Sequence, residues 1–597
     1  MTTVKNVNHR CRPIDYWRML GAGIFLGLFI YAWPGLWPRG QQYLTQEFKN
    51  AEYIDIGESL LHRIPGDASR DVSRRMPLAT LSNALIFNHA PLSSALRAMP
   101  GFVEVVLLFA VVQLLVPAGV LPPAAALAII LSVGSMQAYA RDGEACYALL
   151  MLLVSGLMIW RAQARSFSRS VLLASAIGAS LLYRSPLALL PPLLVCFEYF
   201  TLSRRRPPRF RRQLLILLTV PYLFLLPWLR MNRIAYHRWI PFEDAAADTN
   251  IAAGALGLVH DIYCNWTTLS GQTDDKNVLV WAFEEVARHP LRYVTACVAR
   301  AHMVIGLHPL LFLSAFFAIY LFRKDPGYQQ LGVLCVYFVS IHCLMSTEPR
   351  YFEPLWPLLA AAAAGLLAGP RSVLGNFDCL EYRLSSYILK SSLALVLIFS
   401  IFSEHAVNAY AEMLERGGQQ RQALNEALEK HSGDAWLYFE RGRLETRESE
   451  LPAADADLTE ACALRPMILR YQLALAWVRA LRGRPGQLFA WRTHYPPTSI
   501  DFHAHILRAD FYIKTGKIQK ARKDLRGAFN EQYARLHNLR ETPDWPALYD
   551  VERNVFQRIN DLPQFSREAN NILLYYDRPD SEKTALRRII GSFIGFQ

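Results

Sequence analysis

Residues 101–118 read GFVEVVLLFAVVQLLVPA, and residues 122–139 read PPAAALAIILSVGSMQAY. Each is an apolar block of roughly 18 residues, the helix length needed to cross about 30 Å of hydrocarbon. Neither alternates as a barrel strand does. In lipid every backbone group must pair internally, so both are expected to be membrane helices. Similar blocks recur on either side. About eleven spans are expected, near 17–37, 101–118, 122–139, 145–160, 170–183, 186–203, 213–229, 298–321, 328–345, 354–370 and 388–403. After residue 403 the apolar blocks stop and charge becomes frequent. The 597 residues, 52% of them hydrophobic, therefore divide into a membrane domain at 1–403 and a water-soluble helical domain at 404–597. The expected fold class is all-α: a polytopic membrane helical bundle followed by an α-solenoid.

The net charge of +13 does not indicate nucleic acid. Its densest run, Arg204, Arg205, Arg206, Arg209, Arg211 and Arg212, lies between two apolar blocks, as a cytoplasmic loop does under the positive-inside rule. No basic-aromatic face recurs elsewhere. The nine cysteines are scattered, with no CxxC pair and no Cys/His metal spacing.

The block near 17–37 is too long for a signal-peptide core, and Arg10, Arg12 and Arg18 precede or open it. It is expected as a retained anchor with a cytoplasmic N-terminus. Alternation then puts four basic connections on the cytoplasmic side: Arg161 to Arg169, the six-arginine run, Arg323 with Lys324, and Arg371 to Lys390. The far side, periplasmic in a bacterial inner membrane, receives residues 38–100, the loop 230–297, residues 346–353 and the whole C-terminal domain. Ionisable residues also gather at span ends on that side, where a charge needs a partner or a wet cavity.

Four such places stand out. The first holds Glu47, Glu52, Tyr53 and Asp55, then Arg74, Arg75, Met76 and Pro77. The second is Arg141 with Glu144. The third is Arg184-Ser185-Pro186. The fourth joins Pro227-Trp228 and Arg230 to Asn232 with Glu348-Pro349-Arg350-Tyr351, Pro354 and Pro357. In order, spacing and sidedness these motifs resemble the GT-C superfamily of polyprenyl-phosphate-sugar glycosyltransferases, in the branch of protein O-mannosyltransferases and aminoarabinose transferases. The resemblance covers roughly residues 15–403. It implies an inner-membrane enzyme that moves a sugar from a polyprenyl-phosphate carrier to a glycan, lipid or protein acceptor. The family's Asp before the loop tyrosine is replaced here by Lys49, which leaves Glu47, Glu52 and Asp55 as candidates for the base.

Such a transfer has two demands. The acceptor oxygen must lose a proton as it attacks, which a carboxylate in hydrogen-bond reach accomplishes. The lipid phosphate must leave with growing negative charge, which fixed arginines stabilise. Glu52, Glu47 or Asp55 is the expected base, with Glu144 orienting the site. Arg141, Arg184, Arg230 and Arg350 are expected around the phosphate, with Asn232, Glu348 and Tyr351 lining the substrate. A divalent cation, Mg or Mn, is compatible with this chemistry, with Glu144 to hold it, but no ligand spacing specifies one.

In the C-terminal domain two windows match the 34-residue tetratricopeptide pattern. One carries Gly442, Ala454, Leu458, Ala461 and Pro466, and the other Ala509, Tyr512, Gly516, Ala521, Leu525 and Ala528. Ala476 marks a degenerate repeat between them, and 409–432 reads as a partial one. Repeats of this kind bind proteins or peptides. Two other functional classes stay open: an O-antigen ligase or polymerase, and a non-catalytic scaffold or transporter. A transporter should show inverted repeats and polar residues at the midplane, and neither is evident.

Overall fold

Proline sets many of the helix starts. Its fixed φ and missing N–H suit the first turn and no later one. Pro290, Pro309, Pro326, Pro349 and Pro357 each stand in the first two positions of a helical element. The computed structural model describes residues 51–524, except 67–71, 89–91, 118–119, 139–145, 202–209, 244–245, 260–265, 267–269, 271–276, 369–378, 467, 493–498, 518 and 521–522. Among the described residues no strand occurs.

The helices begin with α1 (Ala51–His62), α2 (Pro77–Asn88), α3 (Leu92–Leu115), α4 (Leu121–Ala138), α5 (Tyr147–Gln163), α6 (Phe167–Tyr183) and α7 (Leu190–Thr201). Next come α8 (Phe210–Leu223), α9 (Leu226–Tyr236), α10 (Ala246–Ala255), α11 (Val278–Arg288), α12 (Pro290–Leu307), α13 (Pro309–Leu321), α14 (Pro326–Cys343) and α15 (Trp356–Ala364). The chain continues through α16 (Cys379–Glu415), α17 (Gln420–Lys430), α18 (Ala435–Arg447), α19 (Leu451–Leu464), α20 (Leu469–Leu481), α21 (Gly486–Phe489) and α22 (Ser499–Lys514). Short 3-10 turns at Ser185–Leu189 and Pro349–Leu355 lie between them.

Among the described residues, three helical stretches are long and apolar enough to cross a membrane: Phe210–Tyr236, Pro349–Ala368 and Arg383–Glu415. Of six shorter apolar helices among these residues, five, including Gly101–Leu115, Tyr147–Gln163 and Phe167–Tyr183, fall on other expected spans, and Pro77–Ile86 falls on none. One apolar core unites them, with Val111, Leu152, Leu173, Phe338 and Leu389 inside it. The apolar block at 298–321 departs from expectation. It is not one rod: α12 and α13 meet at 98°. Proline disfavours helical backbone in the residue before it, and His308, before Pro309, sits at φ −143° and ψ 67°. The last expected span also runs on, since α16 passes residue 403 without a break and ends at Glu415. The first expected span, 17–37, lies outside the described residues.

In the C-terminal part, successive helices pack on one another: α17 on α18, α18 on α19, α19 on α20 and α20 on α22. The α18–α19 hairpin packs Gly442 against Leu458, where a Cβ on residue 442 would approach Leu458 Cγ to 2.9 Å. Ala454, Leu458 and Ala461 are all buried there with Phe439 and Tyr471. Ala476 and Ala504 lie in the next cluster, with Trp477 and Leu507. The sequence spacing of small residues thus corresponds to close helix contacts. Ala509 is buried on α22 and Gly516 follows it at φ +72°. Ala521, Leu525 and Ala528 lie outside the described residues.

Candidate functional site

Helix α1 carries most of the acids expected in the first outer loop. It lies against α2 so closely that a Cβ on Gly57 would come within 2.3 Å of the Thr80 carbonyl oxygen, so glycine permits the approach. The contact aligns the first turn of α1 with the segment before α2. There Arg75 donates from Nε and Nη2 to Glu52 Oε2, at 2.9 and 2.8 Å. Arg74 Nε stands 3.3 Å from the other oxygen, Oε1. The Arg75 guanidinium also lies 4.9 Å from the centre of the Tyr53 ring. Glu52 keeps 26% of its side chain exposed. It is thus a partly exposed carboxylate held in place by two arginines.

A second group is assembled from distant segments. Arg184 ends α6 in extended backbone, and the Ser185–Leu189 turn begins beside it. That turn is pinned from another helix: Tyr337 Oη donates to the Pro186 carbonyl at 2.6 Å and accepts from Leu189 N–H at 3.1 Å. Glu348 opens the turn that carries Arg350 and Tyr351. Arg184 lies 5.0 Å from the Tyr351 ring centre, and Arg350 5.6 Å. Glu348 Oε2 meets Arg350 Nε at 2.5 Å. Tyr351 is buried, while Arg350 keeps 30% of its side chain exposed. The result is two guanidinium groups within 6 Å of the centre of one phenol ring, with one carboxylate against Arg350. Guanidinium groups are the donors that charge-assisted recognition of an anionic oxygen uses.

Other expected residues have different surroundings. Arg230 turns toward the C-terminal half of α16, with Asn408 Oδ1 at 3.4 Å and Glu415 Oε2 at 3.5 Å. It lines a groove of about 530 Å³ that also includes Leu226, Trp239 and Ile234. Asn232 is fully buried and donates to the Ile240 carbonyl at 2.9 Å, so it holds the loop after α9. Asp55 departs most from expectation. Both its oxygens accept from Arg470 Nη1, at 2.7 and 2.8 Å, and Oδ1 also accepts from Trp436 Nε1 at 2.8 Å. Both members of the Asp55–Arg470 pair are 4% exposed. This carboxylate joins α1 to the C-terminal helices. Sequence spacing could not separate it from Glu52, because its partners lie some four hundred positions away. Glu47, Lys49, Arg141 and Glu144 lie outside the described residues.

Two structural devices carried no signal in the sequence. Arg300, completely buried on α12, donates to the carbonyls of Gly254, Leu258 and Cys343. It thereby ties the end of α10 to the end of α14, just before Glu348. Thr347 N–H donates to the Val259 carbonyl at 3.0 Å and completes that tie. The second device is His62, at the end of α1. Its Nε2 lies 3.0 Å from Asp434 Oδ2 and 3.2 Å from Glu58 Oε2. Burial opposes charge on this imidazole, but the Asp434 and Glu58 carboxylates outweigh burial and push it up to about 9.

No family model matches the chain, and no curated protein matches it. A crystal structure of ArnT from Cupriavidus metallidurans bound to undecaprenyl phosphate is similar at 14% identity and a TM-score of 0.37, covering 70% of this chain and 79% of that one.

Proposed function

We propose that the chain is an integral-membrane glycosyltransferase that moves a sugar from a polyprenyl-phosphate donor to an acceptor on the far side of the membrane. The observation that carries this reading is the meeting of Arg184 and Arg350 at Tyr351, from motifs far apart in the sequence. Two arginines fixed at helix ends suit a phosphate whose lipid tail stays in hydrocarbon. In the reaction the acceptor O–H gives its proton to a carboxylate as its oxygen bonds to the anomeric carbon. The bond from that carbon to the phosphate oxygen breaks, and the electron pair leaves with the carrier.

Glu52 serves as base in this scheme, with Glu47 as its alternate. Asp55 does not, since Arg470 and Trp436 occupy its oxygens. Arg75 holds the Glu52 carboxylate in one orientation. The chain sits in a bacterial inner membrane with its C-terminal helices on the far side, and those helices form tetratricopeptide-like repeats that present a surface to a protein or peptide. Binding of a short polyprenyl phosphate to the purified full chain in detergent tests the proposal. The wild-type protein should bind it, and the Arg184→Gln, Arg350→Gln double variant should bind at least about tenfold more weakly, as loss of charge-assisted hydrogen bonds implies. Equal binding by both proteins would remove the phosphate site.

A further inference from the structure

The end of α1 carries three ligand-type atoms that converge outside the proposed transferase site. Glu58 and His62 lie one helical turn apart, the spacing that puts two side chains on one face. Asp434 comes from the position that opens α18 in the C-terminal helices. The ligand atoms of these three residues all lie within 4.8 Å of one another. Two of the separations, from His62 Nε2 to Asp434 Oδ2 and to Glu58 Oε2, are 3.0 and 3.2 Å. Ligands held at about 2.0–2.1 Å from a tetrahedral ion stand about 3.3 Å apart, close to these two separations.

The outer contacts are arranged accordingly. Glu58 uses Oε1 to accept from Asn88 Nδ2 at 2.9 Å and directs Oε2 at the imidazole. Asp434 uses Oδ1 to accept from Trp436 N–H at 2.9 Å and directs Oδ2 at the same nitrogen. Each carboxylate is thus oriented by a donor on one oxygen and aims the other inward, the pattern by which supporting residues orient metal ligands. The Trp436 ring lies stacked near the His62 ring, with centroids 6.2 Å apart. One imidazole N–H can make one good hydrogen bond, yet here it faces two carboxylate oxygens.

We propose that Glu58, His62 and Asp434 bind a divalent transition-metal ion of the zinc class, which clamps α1 to the C-terminal helices. One nitrogen and two carboxylate oxygens are a mixed donor set that favours zinc over magnesium, which takes oxygen ligands and keeps its waters. A fourth position is left for water. The ion takes the place of the proton on His62 Nε2, so uptake releases that proton to solvent. The clamp works beside the buried Asp55–Arg470 pair, and the two together fix the last turns of α1 to the module. This proposal is independent of the transferase reading.

The test uses the full chain in detergent, stripped with a chelator and titrated with zinc chloride or magnesium chloride. Elemental analysis and calorimetry should find about one zinc per chain, with magnesium not competing. His62→Gln and Asp434→Asn should each weaken zinc binding by about tenfold or more, as loss of a ligand or its support does. Asparagine still caps a helix start, so the second variant keeps α18 intact. Should either variant fail to fold, X-ray absorption of the zinc-loaded wild type decides instead. One nitrogen and oxygen neighbours without sulfur support the site. No zinc above background, sulfur ligation, or unchanged affinity in both folded variants would overturn it.

Discussion

Glu52 and Asp55 stand one turn apart on α1, and each meets arginine, but in opposite surroundings. Glu52 and its partners Arg74 and Arg75 keep 22–26% of their side chains exposed. Asp55 and Arg470 keep 4%. Partial exposure lets water screen the Glu52 contacts, so they contribute far less than a dry pair would, on the order of 1 kcal/mol. A buried pair that loses one partner strands a charge, at a cost of about 3–5 kcal/mol. The same residue types on the same helix therefore serve different ends. The partly exposed carboxylate keeps contact with solvent, and the dry one holds two parts of the molecule together.

The largest effect should come from Glu52→Gln. Sugar transfer, read as release of free polyprenyl phosphate from the donor, should fall by about 10²–10⁴-fold, the range for loss of a general base. Its thermal stability should change by no more than about 1 kcal/mol. A stable variant with full activity would end the contrast on the Glu52 side and transfer the base to Glu47.

Asp55→Asn should show the converse. Docking of the C-terminal helices should weaken by about 3–5 kcal/mol, seen as faster proteolysis after α16 and a lower melting temperature. Replacing both partners together, Asp55→Leu with Arg470→Met, should recover much of that loss. A normally stable Asp55→Asn protein without transfer activity would instead make Asp55 catalytic.

Arg184→Gln should lower the rate of transfer by about 10²-fold, as removal of one fixed donor to a developing anion does. Its effect on the docking of α1 to the module should be nil, so proteolysis after α16 stays at the wild-type rate. Faster cleavage would link the two clusters that the comparison keeps apart.

The smallest effect concerns pH. Burial first, and then neighbouring Asp457, push Glu445 on α18 up to about 7. A carboxyl raised above its ordinary value is protonated on folding between the two values. Stability is therefore lost as pH rises from about 4.5 to about 7, and the full cost persists above that. Glu445→Gln should thus raise stability at pH 8 and leave it almost unchanged at pH 4. A gain that is equal at both pH values would show that desolvation of the charge is not the cause.

Sequence patterns reached some parts of the molecule and not others. The helices of the membrane part were legible as apolar blocks, because burial against lipid or other helices leaves a continuous mark on composition. The α18–α19 hairpin was legible from Gly442, Ala454, Leu458 and Ala461, since close packing demands small residues at fixed intervals. The Arg184 and Arg350 motifs could be picked out, though their meeting at Tyr351 could not. The break at His308-Pro309 passed as a single span, because hydropathy averages over a proline that the backbone cannot ignore.

What the amino-acid sequence determines by itself is local: which segments are apolar enough for lipid, where proline starts a helix, and which acids and arginines lie near span ends. These follow from hydropathy and short-range backbone sterics. Only the tertiary structure decides which of two adjacent acids, Glu52 or Asp55, faces water. The answer depends on Trp436 and Arg470 arriving from the other end of the chain to take Asp55 out of solvent. Burial is a property of the assembled surroundings, and it separates two carboxylates that the chain presents as equals.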